Sequence, residues 1–317
     1  MIRLVFCQSL VLAALTTAIS CCGSDSGSTT DPVPTTTETE TTTETETTTE
    51  TETTTETETT TETETATIKI AAFNADVLGK TKMGKSNIVG YIADIITRYE
   101  VILIQEVRDV SLETPGNLLE VVNSKGKGTY SMVTSDRLGR TSSKEEYVYY
   151  YKSESGISVK NDLTFSDPND VFEREPYIAH FEKGTLSFVL IGIHVKPSDA
   201  VNELNQLDDV YAEVKSTYNA NDWIILGDLN ADCSYVNNSE FASLDMSADE
   251  GFTWHISKDS DTTVSNTDCA YDHVISTSTN VKNAEIYKFD EDFGLDQDSA
   301  KTVSNHYPIE FILELAQ

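Results

Sequence analysis

Between residues 68 and 74 the chain reads IKIAAFN, a short apolar run that ends on a polar side chain. The same form returns at VILIQEV (101–107), and further apolar runs occupy 129–134, 146–152, 176–182, 186–195, 222–228, 271–277 and 308–315. Runs of this length between polar residues predict β-strands. Between the first two, Ile88, Tyr91, Ile92, Ile95 and Ile96 recur at helical spacing, which predicts an amphipathic helix over 86–98. A second helix is predicted over 199–216, with Leu204, Leu207, Val210, Tyr211 and Val214 facing inward. Many strands with helices between them fit two packed sheets flanked by helices, an α/β arrangement.

Upstream the pattern vanishes. Residues 35–64 are five copies of TTTETE, with no apolar side chain to offset the entropy of ordering them. The expectation for 22–66 is a disordered, self-repelling stalk, whose repeats could reach roughly 100 Å if stretched at ~3.3 Å per residue. The opening MIRLVFCQSLVLAALTTAISCC carries Arg3, a broken apolar run and then small residues. It predicts an export signal over 1–21, too short and interrupted to span a membrane. The AIS before Cys21 resembles a bacterial lipobox, which implies a lipid on Cys21 and a membrane-anchored protein at the cell surface or in the periplasm. Ordinary cleavage and secretion is the alternative. Either way the working domain is 67–317, outside the cytoplasm.

Charge narrows the choice of function. Residues 67–317 hold 41 acidic and 21 basic side chains, a formal charge of −20. Such a domain repels polyanions, which argues against a passive nucleic-acid binder. An enzyme that uses divalent cations and a few well-placed arginines remains compatible. Of five cysteines, Cys7 lies in the signal and Cys21 and Cys22 at the cleavage point, leaving Cys233 and Cys269 in the domain. In an exported protein that pair is expected to form a disulfide, and neither has the paired spacing of a zinc site.

Chemistry-bearing residues collect at strand ends. Asn74, Glu106, His194, Asp228 with Asn230, Asp272 and His306 all sit at, or just beyond, an apolar run. One such residue is routine, and His306 in VSNHYPIE taken alone could simply cap a strand end. Several together, of metal-ligand and acid–base types, predict a single cleft lined by strand ends. His180, His255 and His273 are expected to be structural, and Trp223 and Trp254 to be core or half-core aromatics.

The stretches IKIAAFNADVLGKTKM, EVILIQEVRD, LGRTSSKEEYVYYYK, FEREP, IGIHVKPSDAVNELNQLDDVY, WIILGDLNADCSYV, TDCAYDHVI and SNHYPIE resemble the deoxyribonuclease I family. They occur in family order across essentially all of 67–317, and match it more closely than other branches of the endonuclease/exonuclease/phosphatase superfamily. The resemblance implies a four-layer α/β sandwich of two packed mixed β-sheets with helices outside. It also implies a monomer that hydrolyses double-stranded DNA with little sequence preference, leaving 5′-phosphates. His194 then pairs with Glu145, and His306 with Asp272, as catalytic acid–base groups, His306 being assigned as base and His194 as acid. Glu106, Asn74, Asp228, Asn230 and Asn305 would surround Mg²⁺ or Mn²⁺, for which oxygen ligands are suited. Arg108 would enter the minor groove, and Arg140 and Arg174 would contact phosphate or groove. Cys233–Cys269 matches a family disulfide. Asp261, Thr263, Ser265 and Thr267 match a calcium site, with a polar surface loop as the alternative, and Asp170 with Glu175 is a weaker second candidate.

Departures from the family pattern carry their own expectations. Asn305 stands where the family has an aspartate, which implies weaker metal affinity. Ser143 replaces a tyrosine that packs against a deoxyribose, and Glu146 replaces a base, so DNA binding is expected to be weak and dependent on divalent ions. Two rival readings stand beside the nuclease: another phosphodiesterase acting on RNA or a phospholipid head group, and an inactive surface module that binds DNA or protein.

Overall fold

The computed structural model describes residues 66–315, so the proposed signal, Cys21 and nearly all of the stalk lie outside the described residues. Twelve strands form the frame: β1 (Ala66–Leu78), β2 (Val101–Val107), β3 (Tyr130–Thr134), β4 (Glu146–Lys152), β5 (Ile157–Thr164), β6 (Tyr177–Lys183), β7 (Leu186–Gly192), β8 (Asp222–Asp228), β9 (Thr253–Trp254), β10 (Asp272–Ser276), β11 (Val281–Ile286) and β12 (Ile309–Leu315). They make two six-stranded sheets, ordered β11-β12-β1-β2-β4-β3 and β5-β6-β7-β8-β10-β9. Both are mixed: β1 runs parallel to β2 and β7 parallel to β8, while the other neighbours are antiparallel.

Strand pleating explains the four layers. In β1, Ile68, Ile70 and Ala72 join an apolar cluster with Phe181, Phe188 and Leu226 of the second sheet. The alternate residues Ala71, Phe73 and Ala75 pack instead with Ile92 and Leu118 of the helices Ser86–Ile96 and Thr114–Ser124. On the other side Val189, Ile191 and Ile225 meet the helices Ala200–Leu204 and Leu207–Thr217. Central strands thus bury both faces, which is why they read as continuous apolar runs rather than alternating ones. Gly192 permits a close approach of the sheets: a Cβ there would lie 2.6 Å from the Tyr149 hydroxyl and 2.7 Å from Leu103.

Two expectations need revision. The helix predicted over 199–216 is two helices, Ala200–Leu204 and Leu207–Thr217, parted at Asn205 and Gln206. The inward residues Leu204, Leu207, Val210, Tyr211 and Val214 are buried as predicted. Strands β5, β9 and β11 had no counterpart in the pattern; β5 and β11 are edge strands whose faces are largely exposed.

Candidate active site

β1, β2, β8 and β10, with the segments leading into β4 and β12, bring their polar ends to one place. Asn74 and Glu106 come from the first sheet and Asp228 and Asp272 from the second. The Asn74 amide donates to Asp228 Oδ2 at 2.9 Å and to Glu106 Oε1 at 3.3 Å, joining the sheets. Gln105 bridges them again, donating to the Ile193 carbonyl at 2.7 Å and accepting from the Asp228 amide at 3.1 Å. Glu106 itself has a φ of +58°, a left-handed conformation uncommon for a non-glycine residue. Its carboxylate accepts from the Val77 amide at 3.0 Å and pairs with Arg108 at 3.0 Å.

Both histidines point at one atom. His194 Nε2 lies 3.3 Å, and His306 Nε2 3.6 Å, from Asp228 Oδ2. Behind each ring stands a carboxylate: Glu145 Oε1 at 2.9 Å from His194 Nδ1, and Asp272 Oδ2 at 2.8 Å from His306 Nδ1. The Asp272 contact is an aligned hydrogen bond; the Glu145 contact is close but lacks hydrogen-bond alignment. The Tyr147 hydroxyl accepts the His194 amide at 2.8 Å and fixes that backbone.

Burial and charge set the proton affinities. For His306, burial disfavours the charged ring, but Asp272 and Asp228 outweigh it and hold the imidazole up at about 10. His194 is also raised: burial opposes, Glu145 and Asp228 favour the cation, and Arg174 works against it. Burial opposes ionisation of Asp228, yet His306 and His194 pull its carboxyl below the usual range. Asp272 is raised by burial, with His306 opposing and Asp228 adding. His273 shows what burial does without an acid partner. Enclosed beside Trp254 and bonded to the Ala270 carbonyl, it is pushed down to about 4. His180 and His255 are lowered by burial as well.

The remaining predicted residues divide. Asn230 is buried, its amide group donating to the Val195 carbonyl at 2.9 Å. Asn305 is exposed, directly before His306. Arg108 is a quarter exposed beside an open cavity of about 540 Å³ shared with Val77, Lys80 and Val110. Arg140 is held by the 170–173 turn, donating to the carbonyls of Asp170 at 2.8 Å and Val171 at 3.3 Å. Arg174, expected in contact with DNA, is instead buried: it grips the His194 carbonyl at 2.9 Å and Glu145 at 2.5 Å. Its position inside the sandwich makes it a brace for the His194 pair. Glu146, expected to weaken DNA contact, also points inward, where burial pushes its carboxyl up to about 7. Ser143 is exposed.

Cys233 and Cys269 are bonded, with Cα atoms 5.8 Å apart. Asp261, Thr263, Ser265 and Thr267 gather: Asp261 Oδ1 accepts from Thr263 Oγ1 at 2.8 Å, and the Ser265 and Thr267 hydroxyls lie 2.6 Å apart. Of the weaker calcium pair, Asp170 is paired with Arg140 at 3.5 Å. Sequence reasoning missed Glu203, which is fully buried and accepts from the Glu173 and Lys196 amides at 2.9 and 3.0 Å. Its charge within a short helix gave no signal.

Comparison with known proteins decides the family. The sequence pattern of the Endonuclease/Exonuclease/phosphatase family matches residues 73–306. Against deoxyribonuclease-1 of Bos taurus the chain is 37% identical over 261 residues, covering 78% of this chain and 92% of that protein. The chain belongs to the endonuclease/exonuclease/phosphatase family, in its deoxyribonuclease I branch. Similarity to deoxyribonuclease-1-like 2 of Mus musculus is of the same order, 37% over 252 residues, covering 77% of this chain and 90% of that one. Among solved structures, an endonuclease/exonuclease/phosphatase family protein from Leptotrichia buccalis superposes with a TM-score of 0.57 at 16% identity, covering 79% of this chain and 100% of that chain. A mannosyl-6-phosphatase from Bacteroides thetaiotaomicron gives 0.54 at 12%, covering 79% and 100%. Those two share the fold. The four-layer sandwich expected from the resemblance is the one observed, and the protein is a deoxyribonuclease I-type hydrolase.

Proposed function

We propose that the protein is an exported, divalent-metal-dependent endonuclease that hydrolyses double-stranded DNA with little sequence preference and leaves 5′-phosphate ends. The observation that carries this reading is the pair of carboxylate-backed imidazoles converging on Asp228 Oδ2. Hydrolysis of a phosphodiester needs one group to take a proton from water and another to give one to the departing 3′ oxygen. His306 takes the role of base and His194 that of acid; a divalent cation at Asp228 would offset the carboxylate charge that otherwise holds the His306 ring protonated, freeing it to accept a proton. Asp272 and Glu145 orient the rings and favour the charge that each carries when protonated. Arg108, beside the open cavity, meets the negative backbone or groove of the duplex.

The donor set fits a hard cation. Glu106 and Asp228 offer carboxylate oxygens across the Asn74 amide, and Asp272 Oδ1 is a buried oxygen with no partner. Glu106, Asn74, Asp228 and Asn230 would hold Mg²⁺ or Mn²⁺, with Asn305 at the rim. A bound divalent cation would supply charge to offset the repulsion between phosphate and hydroxide. The Asp261–Thr267 oxygens would hold a structural Ca²⁺. The amino-terminal signal with AIS before Cys21 supports export, and a lipid on that cysteine would tether the domain through its stalk.

Plasmid nicking tests the reading. The full chain should relax supercoiled DNA in Mg²⁺, lose activity in EDTA, and lose it again as His194→Ala. Cleavage of RNA or a phospholipid head group with DNA left intact would replace the substrate. Binding to DNA without metal-dependent cleavage would make the protein an inactive module.

A further inference from the structure

Lys82 lies in a four-residue helix (Lys80–Met83) and has an 11% exposed side chain, although lysine is ordinarily solvated. An ammonium has three protons to give. Here they meet three backbone carbonyls: Ala75 at 2.8 Å, Asp76 in a short contact, and Val303 at 3.0 Å. The first two belong to β1, one and two residues beyond Asn74. The third is three residues before His306.

A second tie runs beside it. Ser304, fully buried, donates from Oγ to the Asn74 carbonyl at 2.6 Å and accepts the His306 amide at 3.0 Å. The end of β1 has reason to need holding, since Asp76 and Val77 have φ of +46° and +53°. For a β-branched valine that conformation is strained and persists only where its surroundings enforce it. Val77 in turn donates its amide to Glu106. Asn74, Glu106 and the His306 segment are therefore joined by one ammonium and one hydroxyl.

We propose that Lys82 acts with Ser304 as a positioning residue, locking the Asn74 end of β1 to the segment that carries His306. It touches neither ring nor phosphate, so its effect is on alignment; the kinetic part of its test rests on the nuclease reading above. A displacement of about 1 Å at a reacting group can cost on the order of 10²-fold in rate. Lys82→Met in the full chain should lower kcat by about 10²-fold and leave KM for duplex DNA within about two-fold. Histidine-selective ¹⁵N NMR should show the His306 ring signals moved or broadened while those of His180 and His255 hold. Ser304→Ala, a smaller change, should shift the same signals, and the double variant should lose less than the product of the two single losses.

Unmoved His306 signals in both single variants, or kcat within two-fold of the parent, overturn the proposal. So does full additivity in the double variant. If Lys82→Met does not fold, Ser304→Ala decides alone by the same signals. If the parent protein cuts no DNA, the nuclease reading fails, whereas the NMR comparison still decides whether Lys82 positions His306.

Discussion

The two histidine stations are built alike and charged differently. His194 follows β7 of the second sheet, yet its carboxylate, Glu145, arrives from the first. His306 precedes β12 of the first sheet, and its carboxylate, Asp272, opens β10 of the second. Each pair therefore spans the sandwich, in opposite senses. Around His194 the guanidinium of Arg174 touches the same Glu145 oxygen and pulls against protonation. Around His306 the carboxylates of Asp272, Asp228 and Glu106 act and no guanidinium shares its acid partner, so that ring rises to about 10. His273, equally buried but with a backbone carbonyl rather than a carboxylate against its ring, falls to about 4. Burial alone does not decide the charge of an imidazole; the neighbours do.

Removing the rings should have the largest effect. His306→Ala and His194→Ala should each reduce plasmid cleavage by about 10²–10⁴-fold, the usual scale of acid–base catalysis. Equal residual rates in the single and double variants would show that the two stations act as one unit. The charge difference is tested next, by NMR titration of the metal-free protein. Asp272→Asn should lower the His306 midpoint, and Arg174→Met should raise that of His194. Shifts in the same direction would undo the contrast.

His273 supplies the stability counterpart. Its folded value lies below the unfolded one, so the stability that depends on its neutral form is complete above about pH 6.5 and falls as the pH drops toward 4. The loss across that window should be about 2–3 kcal/mol, read as a falling urea midpoint, with His273→Gln flattening that part of the slope. Smaller effects concern the rim. Asn305→Asp adds a negative oxygen beside the His306 station and should lower the Mg²⁺ needed for half-maximal cleavage several-fold, about 3–10. An unchanged requirement would remove Asn305 from the metal's surroundings. Ser143→Tyr restores a flat surface at an exposed position and should lower KM for duplex DNA by about two- to five-fold; an unchanged value would leave that loop without a part in binding.

The sandwich was legible wherever strands bury both faces. β1, β2, β7 and β8 are such strands, and their apolar runs predicted them within a few residues. β5 was not, because Lys160, Asn161 and Asp162 at a sheet edge face solvent and leave no apolar signature. The break at Asn205 was hidden because the apolar spacing continues across it. Polar residues at strand ends were brought to one site, since β1, β2, β7 and β8 finish where their antiparallel neighbours β4, β10 and β12 begin. Arg174 misled because a guanidinium suits phosphate and carboxylate equally, and only the fold shows which one it meets. Lys82 and Ser304 were invisible for another reason: their partners are backbone carbonyls and an amide, which every residue possesses.

The crossed pairs also bear on when the chain becomes dangerous. A catalyst whose every acid–base couple borrows one half from each sheet does not exist in either sheet alone. While the polypeptide is extended or still collapsing, its imidazoles and carboxylates are strangers, and no nucleic acid is at risk. Cleavage can start only once the two halves have closed, so competence and completed folding arrive as a single event.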